Sequence, residues 1–129
     1  MSTPLLLAGA TIVVVHGLIH LLGFVAYWPL GDVPSLPYKT ALFEGRLEVG
    51  AAGMQIFAVL WLFAAIGFVV AVLGFARDAD WWIPAIVVIT LVSLSVTLAD
   101  WRNARVGAML DGMILAALLA RGALMSAYP

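Results

Sequence analysis

The chain has 129 residues, of which 65 % are hydrophobic and 10 % are charged, and its formal net charge is −1. A soluble domain has roughly 25 % charged residues, so this chain lacks the polar surface that keeps a globule in water, while its length suits one domain. No basic run suggests nucleic-acid binding, and the absence of cysteine excludes disulfides, thiolate chemistry and cysteine-ligated clusters.

Four apolar segments each reach the roughly 20 residues that a helix needs to cross a bilayer. They predict helices at about residues 4–28, 41–76, 81–100 and 103–127, in one transmembrane domain spanning residues 1–129. The first segment is interpreted as a transmembrane helix and not as a cleaved signal, because no Lys or Arg precedes Lys39. Short connections make neighbouring helices antiparallel, so the predicted fold is an all-α, integral membrane, antiparallel four-helix bundle.

The ionisable residues concentrate at the end of this bundle where the first and third loops lie. In helix 1, His16 and His20 are four residues apart and therefore share one face, about 18 Å and 12 Å below that end. Helix 2 enters there with Glu48, and helix 4 carries Asp111 within its span. Because an ionisable group in lipid costs roughly 3 kcal/mol or more, we expect these four side chains to face one another in a pocket.

Other polar residues near the same end are second candidates. The residues predicted to bind a ligand there are Arg46, Gln55, Asn103 and Trp101, and helix 3 contributes Ser93, Ser95, Thr97 and Asp100. In the predicted helix 2, Glu48 shares a face with Glu44 at i,i+4 and with Gln55 at i,i+7. The alternative is that Glu44, Arg46 and Glu48 form a solvated entry turn and that "DWRNAR" (100–105) is a membrane-surface anchor.

Several chemistries fit this set of residues. If a metal is bound, nitrogen and oxygen ligands for zinc or non-haem iron would come from His16, His20, Glu48 and Asp111. Two histidines on one helix face cannot be trans ligands of one haem iron. Carboxyl and imidazole groups in a dry pocket also suit acid–base isomerisation or cyclisation of a prenyl or sterol-like substrate. The remaining alternatives are binding of a quinone, lipid or prenyl compound, and a structural subunit of a larger membrane complex.

The stretches "VVHGLIHLLGF" (14–24) and "LEVGAAGMQIFAVLWL" (47–62) resemble the start of the DoxX-like family of small four-helix membrane proteins of bacteria and archaea. The matching positions are Gly17, Leu21, Gly23 and Phe24 in the first helix, and Leu47, Glu48 and Gly50 at the start of the second. His20 stands where the family usually has lysine, and the resemblance covers less than half of the chain. It implies a membrane accessory of respiratory or thiosulfate and quinone redox systems, with Glu48 as the family's helix 2 glutamate.

The sequence therefore predicts an integral membrane protein that binds a lipophilic small molecule, with a redox-associated accessory role and no cofactor assigned. Four cationic residues lie near loops 1 and 3 and two near the opposite end, which favours a cytoplasmic position for loops 1 and 3. The resemblance implies the inner or plasma membrane of a prokaryote. Expected partners are membrane lipid, the lipophilic ligand, and either a second copy or another membrane subunit, but not nucleic acid.

Overall fold

The computed structural model describes residues 3–127. Its helices are α1 (Thr3–Tyr27), α2 (Gly50–Ala76), α3 (Trp82–Ala99) and α4 (Trp101–Ala127). Two antiparallel strands, β1 (Ala41–Leu42) and β2 (Leu47–Glu48), lie between α1 and α2. All four helices are long and apolar enough to span a bilayer. The predicted all-α four-helix membrane bundle is confirmed, and apart from the start of α2 the helix ends fall within two residues of their predicted positions.

Each helix packs against the next one in the sequence, and α4 is the least enclosed. Short connections impose this order, because residues 77–81 join α2 to α3 and Asp100 alone joins α3 to α4. The core near loop 1 (residues 28–49) combines aromatic and smaller side chains, among them Tyr27, Met54, Phe57, Ala58 and Trp61. Large apolar side chains cover the outside of the bundle, as expected for a surface in contact with lipid tails.

Residues 41–48 form a hairpin and not the first turns of helix 2, so the predicted start of that helix at residue 41 is wrong. The turn holds Phe43, Glu44 and Gly45 at φ angles of 51°, 58° and 88°. This left-handed conformation cannot continue a right-handed helix. The amide of Phe43 donates to the carbonyl of Ala99 at the α3–α4 corner, 2.8 Å away, so a tertiary contact stabilises the hairpin and α2 begins only at Gly50.

Helices α1 and α2 approach each other closely at Gly23. A Cβ atom added to this glycine would lie 2.1 Å from Cδ2 and 2.2 Å from Cε3 of the Trp61 indole. An aromatic ring in a packed core cannot move away from an added methyl group, whereas the end of a flexible side chain can. Gly23 therefore lets Trp61 occupy the space against α1 in which it also meets His20, with the two ring centroids 5.0 Å apart.

We expect Gly23→Ala to lower the free energy of unfolding by about 1–3 kcal/mol, because the added methyl overpacks the α1–α2 contact. The matched control is Gly9→Ala on the same helix, where an added Cβ has no atom within 4 Å. The control is expected to be neutral or stabilising by up to about 1 kcal/mol through helix propensity. Reversible unfolding in detergent measures both variants, and equal effects would contradict the close approach.

Candidate functional site

Four buried polar side chains from three helices meet inside the bundle. His16 and His20 project from one face of α1, Ser93 comes from α3 and Asp111 comes from α4. Their convergence follows from the cost of placing an ionisable group in lipid, which favours helix orientations that turn such groups toward one another. We call these four residues the polar cluster.

Short hydrogen bonds connect the polar cluster. His16 Nε2 lies 2.8 Å from Asp111 Oδ1, and Ser93 Oγ lies 2.8 Å from each of the two Asp111 carboxyl oxygens. Ser93 Oγ also lies 2.7 Å from His20 Nε2, and the Thr97 hydroxyl oxygen lies 2.9 Å from the Ser93 carbonyl and 3.3 Å from Asp111 Oδ2. Asp111 is thereby surrounded by polar partners although none of its surface is exposed.

The geometry around His20 fixes which of its ring nitrogens carries hydrogen. Nδ1 lies 2.9 Å from the backbone carbonyl oxygen of His16, and a carbonyl only accepts, so Nδ1 is the donor. Nε2 therefore faces Ser93, accepting its hydroxyl when the ring is neutral and donating to Oγ when the ring is charged. The serine hydroxyl is the link between His20 and the Asp111 carboxyl.

Helix α2 covers the polar cluster with aromatic rings. Phe68 packs edge-on to His16 with a centroid separation of 5.1 Å, and Trp61 packs against His20. The two imidazoles themselves meet edge to face at 4.7 Å. Apolar rings on this side keep the cluster's hydrogen bonds in a medium of low dielectric constant, where they are stronger than in water.

A crevice of about 160 Å³ adjoins the polar cluster between α1 and α4. Its polar lining comes from His16, His20, Thr97 and Asn103, together with Ser35 of loop 1. Its outer edge is formed by lipid-exposed side chains, Ile19 and Leu22 of α1 and Val106 of α4. The crevice therefore joins the hydrocarbon region of the membrane to the imidazoles of the cluster.

Trp61 lines the same crevice and is 3 % exposed. Its indole Nε1 is the only buried side-chain nitrogen or oxygen within residues 3–127 that has no hydrogen-bond partner. A buried N–H without an acceptor costs about 1–3 kcal/mol, so native proteins rarely leave one unpaired. Within residues 3–127, this N–H is thus the one buried side-chain polar group of the site without a hydrogen bond.

A second group of polar contacts closes the crevice at the loop 1 end. Buried Asp100 accepts hydrogen bonds from the Tyr27 hydroxyl and the Lys39 ammonium, and from the Asn103 amide at 2.9 Å. Lys39 belongs to loop 1, so its ion pair with Asp100 ties that loop to the α3–α4 corner. Ser35 and Leu36 of the same loop line the crevice, which places the tied loop over its end.

The structure brings together three of the four residues predicted for the pocket, His16, His20 and Asp111. Glu48 lies outside the cluster on β2, where its exposed side chain accepts the amide hydrogen of Gly50 at 3.0 Å. Of the second candidates, Asn103 lines the crevice, whereas Arg46, Gln55 and Trp101 are exposed and do not. The hairpin explains the positions of Arg46 and Glu48, because helix 2 does not exist before Gly50, whereas Gln55 lies on an exposed face of α2 and Trp101 is exposed at the start of α4.

The sequence does not predict the roles of two residues of the site, Ser93 and Trp61. Ser93 is visible in the sequence only as one of several hydroxyl residues on helix 3, and Thr97 shares its face at i,i+4. Trp61 sits within a long apolar run, where an indole is expected simply as core. Its significance depends on the unpaired nitrogen, which only the three-dimensional arrangement shows.

Metal coordination receives no support from the side-chain arrangement. In the part of the chain that the structure describes, no three His, Asp or Glu side chains form a group that could hold a metal ion. Glu48, the fourth predicted ligand, lies on the hairpin. Two further cavities, of about 150 Å³ beside Phe75 and about 400 Å³ along residues 29–38, are lined by residues outside the polar cluster.

No protein-family model matches this chain, and no curated protein or solved structure is detectably similar to it.

Proposed function

We propose that this integral membrane protein binds a lipophilic small molecule, whose polar head group enters the crevice between α1 and α4. The observation that carries the proposal is the buried Trp61 N–H, which has no partner among the described residues and belongs to a side chain that lines the crevice. A ligand oxygen that accepts this hydrogen would remove the cost of leaving it unpaired. The same head group would also contact polar side chains that line the crevice, namely His16, His20 and Asn103.

The volume of the crevice limits the head group to about one ring. A cavity of about 150 Å³ is known to admit benzene, which makes the 160 Å³ here suitable for a single six-membered ring and small for a phospholipid head group. The lipid-exposed edge at Ile19, Leu22 and Val106 leaves room for an apolar tail to lie along the outside of the bundle. Among quinones, lipids and prenyl compounds, a quinone combines a ring, carbonyl acceptors and a long tail.

A redox-associated accessory role belongs to the same proposal. It draws on the resemblance of residues 14–24 and 47–62 to the DoxX-like family and on the quinone-sized crevice. The proposal places the protein in a prokaryotic inner or plasma membrane with loops 1 and 3 cytoplasmic, and gives it either a second copy or another membrane subunit as its partner. A protein without cysteine would hold the quinone for such a partner and would not itself supply thiol electrons.

A membrane enzyme that works by acid–base chemistry is the second candidate. The polar cluster supports it, because Asp111 and two imidazoles are connected through Ser93 beside a crevice open to lipid. Isomerisation of a double bond needs one proton donor and one acceptor in such a dry site. Chemical conversion of the bound species on incubation with the purified protein would favour this candidate, whereas recovery of the unchanged species favours binding.

Extraction of the protein purified in mild detergent, followed by mass spectrometry, tests the proposal. We expect one lipophilic species to be enriched over the bulk membrane lipids. Trp61→Phe keeps an aromatic ring but removes the N–H together with part of the indole's volume, so it is expected to reduce the amount retained at least about three- to tenfold, the value of one hydrogen bond.

The matched control is Trp101→Phe, because Trp101 is 43 % exposed and lies outside the crevice lining. This control is expected to retain the same amount of ligand as the wild type. Absence of any enriched species, or equal losses in both variants, would contradict the proposal and leave the polar cluster with a structural role in joining the helices.

A further inference from the structure

The number of hydrogens that the polar cluster needs can be counted from its heavy-atom contacts. His20 Nε2 to Ser93 Oγ, Ser93 Oγ to the Asp111 carboxyl, and Asp111 Oδ1 to His16 Nε2 are three contacts of 2.7–2.8 Å. Each is a hydrogen bond only if one hydrogen lies between its two atoms, so the chain of contacts needs three hydrogens.

Two of these hydrogens come from ordinary neutral groups. The Ser93 hydroxyl supplies one, and neutral His16 supplies one when its hydrogen is on Nε2. Neutral His20 supplies none, because its ring hydrogen is on Nδ1, where it donates to the His16 carbonyl. An ionised Asp111 also supplies none. The cluster is therefore one proton short if Asp111 is ionised and both imidazoles are neutral.

We infer that the polar cluster holds one exchangeable proton, which Ser93 passes between His20 and Asp111. In one state, charged His20 donates from Nε2 to Ser93 Oγ, and the Ser93 hydroxyl donates to the Asp111 carboxylate. In the other state, protonated Asp111 donates to Ser93 Oγ, and the Ser93 hydroxyl donates to neutral His20. Two hydrogens shift in the same direction between these states, and no atom or electron is gained or lost.

Electrostatics favours this proton count. Both states have zero net charge, and an isolated charge in the membrane interior carries a large desolvation cost. The uncharged groups that face the cluster do not change this balance: α2 presents the rings of Phe68 and Trp61, and α3 presents the Thr97 hydroxyl. The three contacts counted above each hold one hydrogen in both states, so the two states differ little in hydrogen bonding.

The position of His20 brings the charge of the first state close to a ligand. His20 belongs both to the cluster and to the crevice lining, so its imidazole carries a positive charge beside the crevice in that state, while its two N–H groups stay bonded to the His16 carbonyl and to Ser93. The effect of this charge on a ligand rests on the proposed function, since it requires a molecule in the crevice. The existence of the shared proton does not, because it follows from contacts within the protein.

Spectroscopy on the ligand-free protein in lipid nanodiscs tests the shared proton. Nitrogen-15 NMR of labelled histidine gives the charged fraction of His20, and infrared absorption gives the fraction of Asp111 in the carboxylic acid form. At neutral pH we expect these two fractions to add up to one and to change in opposite directions with temperature. His20→Gln and Asp111→Asn assign the two signals.

Substitutions of Ser93 test its part in the transfer. Ser93→Ala removes the link and is expected to abolish the opposite temperature changes, whereas Ser93→Thr keeps a hydroxyl and is expected to restore them. In the wild type, charged His20 and protonated Asp111 fractions that add up to zero or to two would overturn the inference. Opposite temperature changes of the two fractions that persist in Ser93→Ala would also overturn it. Because no ligand is present, failure here is distinguishable from failure of ligand binding, which the extraction experiment measures separately.

Discussion

Replacing Asp111 with alanine is expected to destabilise the protein by about 2 kcal/mol or more. The carboxyl is the shared partner of His16, Ser93 and Thr97, and its removal leaves the buried His16 Nε2 without its acceptor and a cavity between α1, α3 and α4. Asp111→Asn keeps the shape and one acceptor oxygen and is expected to cost less. Reversible unfolding in detergent measures both variants. Glu48→Gln, which changes an exposed carboxyl, is the control and should stay within about 0.5 kcal/mol.

A double-mutant cycle tests whether these side chains act on one another. We expect the effects of His16→Gln and Asp111→Asn on the free energy of unfolding to be non-additive. The expected coupling energy is about 1–2 kcal/mol, at the upper end of the values found for hydrogen bonds between membrane helices. The control cycle pairs Asp111→Asn with Glu48→Gln and should be additive. Additive effects for His16 and Asp111 would mean that the contact between α1 and α4 does not form.

Replacing Val106 with tryptophan is expected to exclude the ligand from the crevice. Val106 is 66 % exposed at the lipid edge of the crevice, so an indole there can fold over the opening without entering the core. Overpacking a filled site costs about 1–3 kcal/mol, which corresponds to a loss of retained ligand of about fivefold or more. The free energy of unfolding should change by less than about 0.5 kcal/mol, because the substituted side chain faces lipid.

Met109→Trp provides the matched control for Val106→Trp. Met109 lies on the same helix and is 59 % exposed, but it is not part of the crevice lining. It should retain ligand as the wild type does. Equal retention in both tryptophan variants would place the ligand elsewhere on the protein, and equal loss in both would indicate a general effect of an added indole on α4.

The helices and the buried part of the site were predictable because the free-energy cost of placing polar groups in lipid governs both. Long apolar segments identify the spans, and the expense of exposing His16, His20 or Asp111 to lipid predicts that they turn inward. Spacing along the helices then placed them at similar depth. The structure agrees on all three residues, and their hydrogen bonds follow from that convergence.

The surface end of the site was not predictable on the same grounds. Glu44 and Glu48 have helical i,i+4 spacing, yet the chain turns at residues 43–45 and forms a hairpin that contacts Ala99. Near the headgroup layer, hydropathy does not distinguish a helix from a hairpin, because both leave their polar groups in water. The "DWRNAR" segment illustrates the same difficulty, since its first residue, Asp100, is buried and binds Lys39 of loop 1.

The most direct test of ligand binding in the crevice is the NMR signal of the Trp61 indole N–H. The chain has five tryptophans, and Trp61→Phe identifies the resonance by its disappearance. The lipophilic species extracted from the protein is added back to delipidated protein in nanodiscs. The proposed function predicts that the Trp61 N–H signal moves to the position of a hydrogen-bonded indole while those of Trp81 and Trp101 do not. A Trp61 signal that stays unchanged at saturating ligand would contradict it.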